Sequence, residues 1–197
     1  GAVSFDKVYI NCDRSLINIS EFWLKGDSSG SFGNFLNEVS ISVIFRKSLI
    51  STSDLQYFLP FAKGINESVS ISGKISGTIS ELRGRNILLS YRDNSQLDCD
   101  FDFSGLPDIN NAFIYLGVNS LITNANDIEK IALDGNRKLE IPKLIYKLGN
   151  ISFDGSFTGF TTDFVAYGKI RTGQGIITTD LSLRPDEKRQ YRIRGLL

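Results

Sequence analysis

The first candidate for chemistry is the segment 26–30, Gly-Asp-Ser-Ser-Gly, which matches the Gly-x-Ser-x-Gly pattern of hydrolase nucleophiles. In that pattern the serine needs a histidine base and a strand-to-helix turn. The chain contains no histidine, and no helical periodicity follows Gly30. The segment therefore predicts a flexible hairpin loop. The lack of histidine also excludes histidine acid–base chemistry and histidine metal ligands.

A second candidate is the run of Asp98, Asp100 and Asp102, which resembles the start of a calcium loop. The EF-hand form requires glycine at the sixth position and glutamate at the twelfth, where this chain has Phe103 and Ile109. In a β-strand the three carboxylates would lie about 7 Å apart on one face. The spacing favours a solvated strand face, with a weak cation site as the alternative.

The two cysteines, Cys12 and Cys99, cannot form a structural zinc site alone. They predict two buried thiols, with a disulfide in an oxidising compartment as the alternative. The segment 173–175 lacks the third glycine of a dinucleotide loop, and no P-loop is present. The sequence therefore predicts no cofactor and no metal, and a protein that is not an enzyme.

Charge and hydropathy exclude two further classes of function. Lysine plus arginine and aspartate plus glutamate are both 22, and the aromatic residues recur at strand spacing among apolar residues, which argues against a nucleic-acid partner. The longest uncharged stretch, 109–126, contains five asparagines and cannot span a membrane as a helix. The N-terminus has no leader pattern and starts within strand-like alternation, which predicts a segment excised from a larger protein.

Alternation of apolar and polar residues with period two is the dominant signal. Residues 97–103 show it best, with Leu97, Cys99, Phe101 and Phe103 separated by the three aspartates. Equally regular segments are 39–43, 69–79, 151–157 and 177–183, and weaker ones are 3–11, 16–24, 86–91, 112–118, 164–171 and 191–194. Such alternation predicts half-buried antiparallel strands with one dry face and one wet face.

Two helical inserts interrupt the strands, at 54–63 and 127–148, and both belong to an internal repeat. Ile41, Val43, Phe45, Ile50 and Asp54 correspond, at an offset of 73, to Ile114, Leu116, Val118, Thr123 and Asp127. The Gly-x-x-x-Gly segment 73–77 corresponds, at an offset of 82, to 155–159. The sequence therefore predicts one continuous β-rich segment, 1–197, with approximate repeat units 36–108 and 109–197.

The apolar positions of these strands must be buried on one common face. A closed barrel, a sandwich and a long curled sheet would each bury it, and periodicity alone does not choose among them. The predicted apolar lining is Ile41, Val43, Phe45, Val69, Ile71, Ile75, Ile79, Leu97, Cys99, Phe101, Phe103, Ile151, Phe153, Phe157, Ile177, Leu181 and Leu183.

The order of several short motifs resembles the central region of the TamB-like proteins of the AsmA superfamily. The matching segments are 51–55, 58–60, 71–79, 105–108, 122–128, 148–160, 163–168 and 175–181. The resemblance lies in the order of these motifs and runs from about residue 40 to the end. It implies an elongated curled antiparallel sheet of the β-taco or half-pipe type, with an apolar inner groove and short helical inserts.

The same resemblance implies a function and a place. Family members are anchored in the inner membrane of Gram-negative-type bacteria and reach through the periplasm towards the outer membrane. They are linked to phospholipid transport between the membranes, and to outer-membrane protein assembly with a barrel of the TamA type. The implied ligands are phospholipid acyl chains, held along the lining residues. Neither the membrane helix nor the barrel-contacting domain is part of this chain.

Three hypotheses follow for function. The first is a non-catalytic lipid conduit, which needs only a continuous dry channel worth roughly 0.8 kcal/mol per buried CH₂. The second is a structural or docking module whose edge strands pair with another chain. The third is a carbohydrate-binding or adhesive β-sandwich, supported only by Trp23 and scattered tyrosines.

Overall fold

Strands that follow one another in the chain also lie side by side in a single antiparallel sheet. The computed structural model describes residues 1–55, 67–92, 94–130, 132–133, 137–138, 141–185 and 191–194. In chain order the strands are β1 (Ala2–Asn11), β2 (Leu16–Gly26), β3 (Val39–Ser51), β4 (Ser68–Gly77), β5 (Glu81–Tyr91), β6 (Ser95–Ser104), β7 (Phe113–Asn124), β8 (Ala132–Leu133), β9 (Arg137–Lys138), β10 (Asn150–Phe160), β11 (Asp163–Thr172), β12 (Gly175–Pro185) and β13 (Tyr191–Arg194).

Eleven of these strands form the sheet, in the order β1-β2-β3-β4-β5-β6-β7-β10-β11-β12-β13, while β8 and β9 pair only with each other. Within the described part of the chain β1 and β13 are the two outer strands, and they do not pair, so the sheet is not a closed barrel. The predicted fold class, a mostly β, curled antiparallel sheet with short helical inserts, is confirmed.

The helices are short and lie between strands. They are a 3-10 helix (Ser29–Asn34), α1 (Phe35–Glu38), α2 (Thr52–Leu55), α3 (Ala125–Glu129) and α4 (Lys143–Tyr146). Segment 26–30 lies in the connection between the adjacent antiparallel strands β2 and β3, where a hairpin loop was predicted, but this connection also contains helical turns over 29–38, which were not predicted.

The two predicted inserts differ from expectation in their details. The first begins at Thr52 rather than at residue 54, and residues 56–63 lie outside the described part of the chain. The second contains α3, the β8–β9 hairpin and α4, and the hairpin was not predicted. Its first helix is capped by Asn124, whose side-chain oxygen accepts a hydrogen bond from the Asp127 backbone N–H at 2.9 Å.

The sheet curls because four of its strands, β2, β3, β5 and β7, are irregular at about the same level. The pairing register shifts near Ser20 in β2, at 46–47 in β3, at 85–86 in β5 and near Asn119 in β7. A bulge bends its strand and increases the local twist. Since these bulges lie side by side, the bends add up to a crease that runs across the strands.

Burial shows which way the sheet bends. At the crease, Ile19, Ile87, Cys99 and Val118 are all buried, at 2–8% exposure, and the register pairs put them on one face. The bulge residues on the opposite face, such as those at 46–47, are exposed. We call the face of Ile87 and Cys99 the concave face, and the other the convex face.

The curled sheet leaves much of its surface accessible. The chain exposes 13080 Å², whereas a compact monomer of 21.9 kDa would expose about 9300 Å². The buried apolar residues are therefore few: a line along the crease, flanked by half-buried apolar residues, and separate buried positions at the strand ends, such as Val39, Ala112 and Ala125.

Candidate functional site

The concave face forms an apolar trough that runs across the strands. Cross-strand partners in antiparallel sheets point to the same side. One row of paired residues across the sheet is Phe22, Val43, Ile75, Gly84, Phe101, Leu116, Phe157, Ala166 and Leu181. A parallel row is Ile71, Leu89, Leu97, Leu121, Phe153, Ile170 and Ile177. At about 4.8 Å between strands, the ten strands β1–β7 and β10–β12 give a trough roughly 43 Å long.

The structure brings sixteen of the seventeen predicted lining residues to this face. Most of them are half-buried, Val43 and Cys99 are buried at 8% and 3% exposure, and Ile177 is exposed. Ile79 is the exception, because β4 ends at Gly77 and Ile79 lies in the turn before β5. The alternation at 69–79 runs past the end of the strand, since a turn residue can continue the pattern by chance.

Sequence reasoning missed several residues of the trough. Ile87, the most buried large side chain of the crease, was not in the predicted lining, nor were Gly84, Leu89, Leu116 and Leu121. A bulge shifts the alternation by one residue, so strict period two loses its phase at the crease. The one local signal available was Asn86, since asparagine is enriched at positive φ, and its φ here is 52°.

The floor of the trough is built from phenylalanine rings lying against glycines. A Cβ atom added at Gly84 would overlap the Phe101 ring, and one added at Gly155 or Gly168 would overlap the Phe153 ring. Phe101 also stacks on Phe103, with ring centroids 4.5 Å apart. Because the glycines let the rings lie close to the backbone, the floor stays low and apolar.

The trough continues to the β1 end of the sheet. Phe5, Val8, Ile10, Ile19 and Phe22 line a wholly apolar cavity of about 260 Å³ on the same face. None of these five was in the predicted lining. Their strands were recognised only as weaker candidates, because the segments 3–11 and 16–24 alternate less regularly.

Charge separates the two faces. Along β1–β7 and β10–β12, the register places no charged side chain on the concave face, within the described residues. On the convex face the Arg85 guanidinium donates to both Asp102 carboxylate oxygens, at 2.7 and 3.0 Å, and Arg171 pairs with Asp154. Burial of an unpaired charge is costly, so this segregation leaves the trough suited to apolar ligands.

The three aspartates of β6 lie on the convex face, and each has its own partner. Asp98 accepts from the Asn119 side chain at 3.0 Å, and Asp100 accepts from the Asn86 backbone N–H at 2.7 Å. Asp102 binds Arg85. Across the described residues, no group of three or more acidic or cysteine side chains is arranged to hold a metal ion.

Both thiols are free, and their surroundings differ. Cys12 is exposed in the β1–β2 turn, and Cys99 is buried at the crease, so the disulfide alternative is excluded by the structure. The expectation that both thiols are buried holds for Cys99 and is wrong for Cys12. Burial raises the pKa of the Cys99 thiol above its usual range, and the neighbouring charges of Asp100 and Asp98 raise it further.

Hydroxyl and carboxylate groups meet at the strand ends that lead into the two inserts. The Ser95 hydroxyl donates to the Asp127 carboxylate at 2.8 Å and lies 2.8 Å from the Thr123 hydroxyl. The Ser15 hydroxyl donates in the same way to Asp54. Asp54 and Asp127 are each the third residue of a short helix that follows a long strand. In both places a serine hydroxyl thus binds the aspartate at the third position of a short helix. The internal repeat that would explain this similarity stays a prediction.

The chain matches no protein-family model, no curated protein and no solved structure. Among the described residues no helix is both long enough and apolar enough to cross a membrane.

Proposed function

We propose that the chain is a non-catalytic segment of a cell-envelope protein whose trough holds phospholipid acyl chains on their way between the inner and outer membranes. The observation that carries the proposal is the continuous, uncharged concave face, which stays half-exposed across the sheet. An apolar surface of this extent is unusual on a soluble monomer and marks a binding surface.

The energetics suit an acyl chain better than a ligand that needs specific polar contacts. Each methylene group buried in the trough contributes roughly 0.8 kcal/mol, and no directional hydrogen bond is required. Phe101 packs against Gly84 and Phe153 against Gly168 of the neighbouring strands, so these rings offer apolar surface to an acyl chain in the trough. The ordering of motifs described above supports a periplasmic place and a TamA-type partner for the full-length protein.

Two neighbouring leucines of β5 provide the sharpest test. Leu89 is half-buried and lies on the concave face, opposite Leu97, whereas Leu88 is 49% exposed and lies on the convex face, opposite Asp98. The purified variants Leu89→Glu and Leu88→Glu would be titrated with vesicles of phosphatidylethanolamine and phosphatidylglycerol that contain a fluorescent phospholipid. We expect Leu89→Glu to lower lipid extraction at least tenfold, and Leu88→Glu to leave it unchanged. Equal effects of the two variants would contradict the proposal.

Photo-crosslinking in cells tests the same site without changing its charge. A benzoylphenylalanine replaces Phe101 on the concave face or, as the control, Tyr115 on the convex face, one residue along on the adjacent strand. Mass spectrometry is expected to find phospholipid adducts at residue 101 and none at residue 115. Absence of lipid at both positions would refute the conduit, and protein adducts at both would favour a docking module.

A carbohydrate-binding role is the second candidate, because the convex face exposes aromatic side chains beside charged ones. Phe113 and Tyr115, about 40% exposed, border a cleft of about 290 Å³ together with Arg83 and Asp102. Sugar rings stack on aromatic faces and hydrogen-bond to such groups. A glycan array that shows binding abolished by Tyr115→Ala would support this role, and an array without hits would remove it.

A further inference from the structure

The cleft on the convex face lies across three central strands of the sheet, β5, β6 and β7, and has a volume of about 290 Å³. One cross-strand row runs through it, with Arg83 opposite Asp102 and Asp102 opposite Tyr115. Each of the three strands pairs with a neighbour on both sides, so the sheet itself uses their backbone N–H and C=O groups. A ligand in the cleft must therefore be recognised by side chains, which disfavours an extended peptide that adds a strand.

The Tyr115 side chain forms a flat platform in this cleft. A Cβ atom added at Gly117 would lie 3.3 Å from the Tyr115 hydroxyl oxygen and 3.8 Å from two carbons of its ring. The ring therefore lies along its own strand, above the glycine, while Tyr115 stays 41% exposed. An aromatic ring that rests on the backbone and is open to water can stack against the apolar face of a sugar ring, and it loses little conformational entropy in doing so.

The two arginines of the cleft differ in how far they are neutralised. The Arg85 guanidinium donates to both carboxylate oxygens of Asp102, at 2.7 and 3.0 Å. Arg83 lies 3.9 Å from the same carboxylate, and its side chain is 65% exposed, so most of its guanidinium is accessible to a ligand. Because a guanidinium binds a carboxylate through two parallel hydrogen bonds, Arg83 favours a ligand that carries a carboxylate.

The other end of the cleft offers an acceptor and a second aromatic side chain. Glu81 lies there opposite Ser104, whose hydroxyl donates to it, and its carboxylate can also accept from ligand hydroxyl groups. Phe113 follows in the same row and is held by an edge-to-face contact with Phe160, with ring centroids 5.5 Å apart. Since Glu81 would repel a second carboxylate, the negative charge of the ligand belongs at the Arg83 end.

We propose that this cleft binds a sugar that carries a carboxylate. Its ring stacks on Tyr115, its carboxylate binds Arg83, and a hydroxyl group donates to Glu81. Uronic acids and muramic acid share this chemistry. The inference rests on the carbohydrate-binding candidate described above, for which it names the ligand class. It is independent of lipid binding, because the cleft and the trough lie on opposite faces of the sheet.

Isothermal titration calorimetry with trigalacturonic acid and with its neutral trimethyl ester tests the role of the carboxylate. The wild-type chain should bind the acid roughly tenfold or more tightly than the ester, since hydrogen bonds between charged groups are the strong ones. Arg83→Gln should abolish this preference. Lys169→Gln removes an exposed positive charge from the convex face of β11, opposite Asp154 and outside the cleft, and as the matched control should keep the preference.

Tyr115→Ala tests the platform separately. It should weaken binding of the acid and of the ester alike, by roughly fivefold or more, because both lose the stacking contact. Far-ultraviolet circular dichroism spectra of all variants should match the wild type. A parallel titration with a disaccharide of N-acetylglucosamine and N-acetylmuramic acid distinguishes a cell-wall glycan from a uronic acid polymer as the natural source of the carboxylate.

Equal affinity for the acid and the ester would overturn the inference and leave the carbohydrate-binding candidate standing, whereas a chain that binds neither would overturn both. Loss of the preference in Lys169→Gln, or displacement of the sugar by tetraglutamate, would also overturn the inference, the latter in favour of an acidic peptide. Lipid extraction, measured on the same variants, should equal that of the wild type, so failure of the lipid proposal is detected separately.

Discussion

The crease and the β1 edge use the same alternation of apolar and polar residues, but they bury it very differently. Ile87 at the crease is 2% exposed, whereas Ile10 on β1 is 41% exposed, although both point to the concave face. The crease residue is covered by strands on both sides and by the bend of its own strand, and Ile10 has a neighbouring strand on one side only. Burial in this protein thus depends on the position of a strand in the sheet more than on residue type.

The largest effect is expected when the same truncation, isoleucine to alanine, is made at the crease and on β1. Ile87→Ala should lower the free energy of unfolding by about 2–5 kcal/mol, because it removes buried methylene groups and leaves a cavity. Ile10→Ala should cost about 1 kcal/mol or less, since much of its side chain is already in water. Urea denaturation of both variants measures the contrast. Similar losses at both sites would show that the edge is covered in solution.

Crowding at the crease gives the next effect. Gly84→Ala should destabilise the fold by about 1–3 kcal/mol, because the new methyl group overlaps the Phe101 ring. Gly33→Ala, which meets no atom within 4 Å, is the control and should change stability by no more than about 0.5 kcal/mol. A double-mutant cycle with Phe101→Leu should show a coupling term. If the two substitutions changed the free energy of unfolding additively, the destabilisation by Gly84→Ala would not arise from contact with the Phe101 ring.

Two serine hydroxyls, one bonded to a buried carboxylate and one on the exposed β1 strand, allow the same comparison for polar residues. Ser95→Ala removes a donor from Asp127, which is 6% exposed, and should cost about 1–3 kcal/mol. Ser4→Ala on the exposed β1 strand should be neutral within about 0.5 kcal/mol. Thermal or urea unfolding compares the two. If Ser95→Ala were equally neutral, the Ser95–Asp127 hydrogen bond would not hold α3 to the sheet.

The two thiols report the same contrast through their chemistry. Cys12 at the β1–β2 turn should react at once with a thiol reagent at pH 8. Cys99 at the crease should react at least roughly 100-fold more slowly, since its labelling requires opening of the sheet. Single variants Cys12→Ser and Cys99→Ala assign the two phases. Fast labelling of both thiols would mean that the crease opens readily.

The smallest effect concerns stability at alkaline pH. Because burial raises the pKa of Cys99 in the folded chain, the unfolded chain loses that proton first as the pH rises above about 8.5. Stability from this group is complete below that pH and declines until the raised pKa is passed. The free energy of unfolding of the wild type should therefore fall between pH 8 and 10 more steeply than that of Cys99→Ala. Parallel profiles would contradict the raised pKa.

Much of the fold followed from local pattern. Period-two alternation placed the strands, including the weakest segment at 191–194, which forms β13. It also selected one face of β6 correctly, because Leu97, Cys99, Phe101 and Phe103 stand on a strand without an internal bulge residue of its own. Where a bulge shifts the phase, as at 85–86, the same rule lost Ile87. The helical turns at 29–38 and the β8–β9 hairpin carry no comparable periodic signal.

The sequence by itself determined that the strands have one apolar and one polar face, since alternation fixes side-chain direction whatever the neighbours. It also determined where charge would lie, because every aspartate of β6 alternates with an apolar residue. Only the tertiary structure decided which face is concave and which apolar residues are buried. Those properties arise when bulges on neighbouring strands align into one crease, and the alignment depends on cross-strand register, which no single segment of the chain encodes.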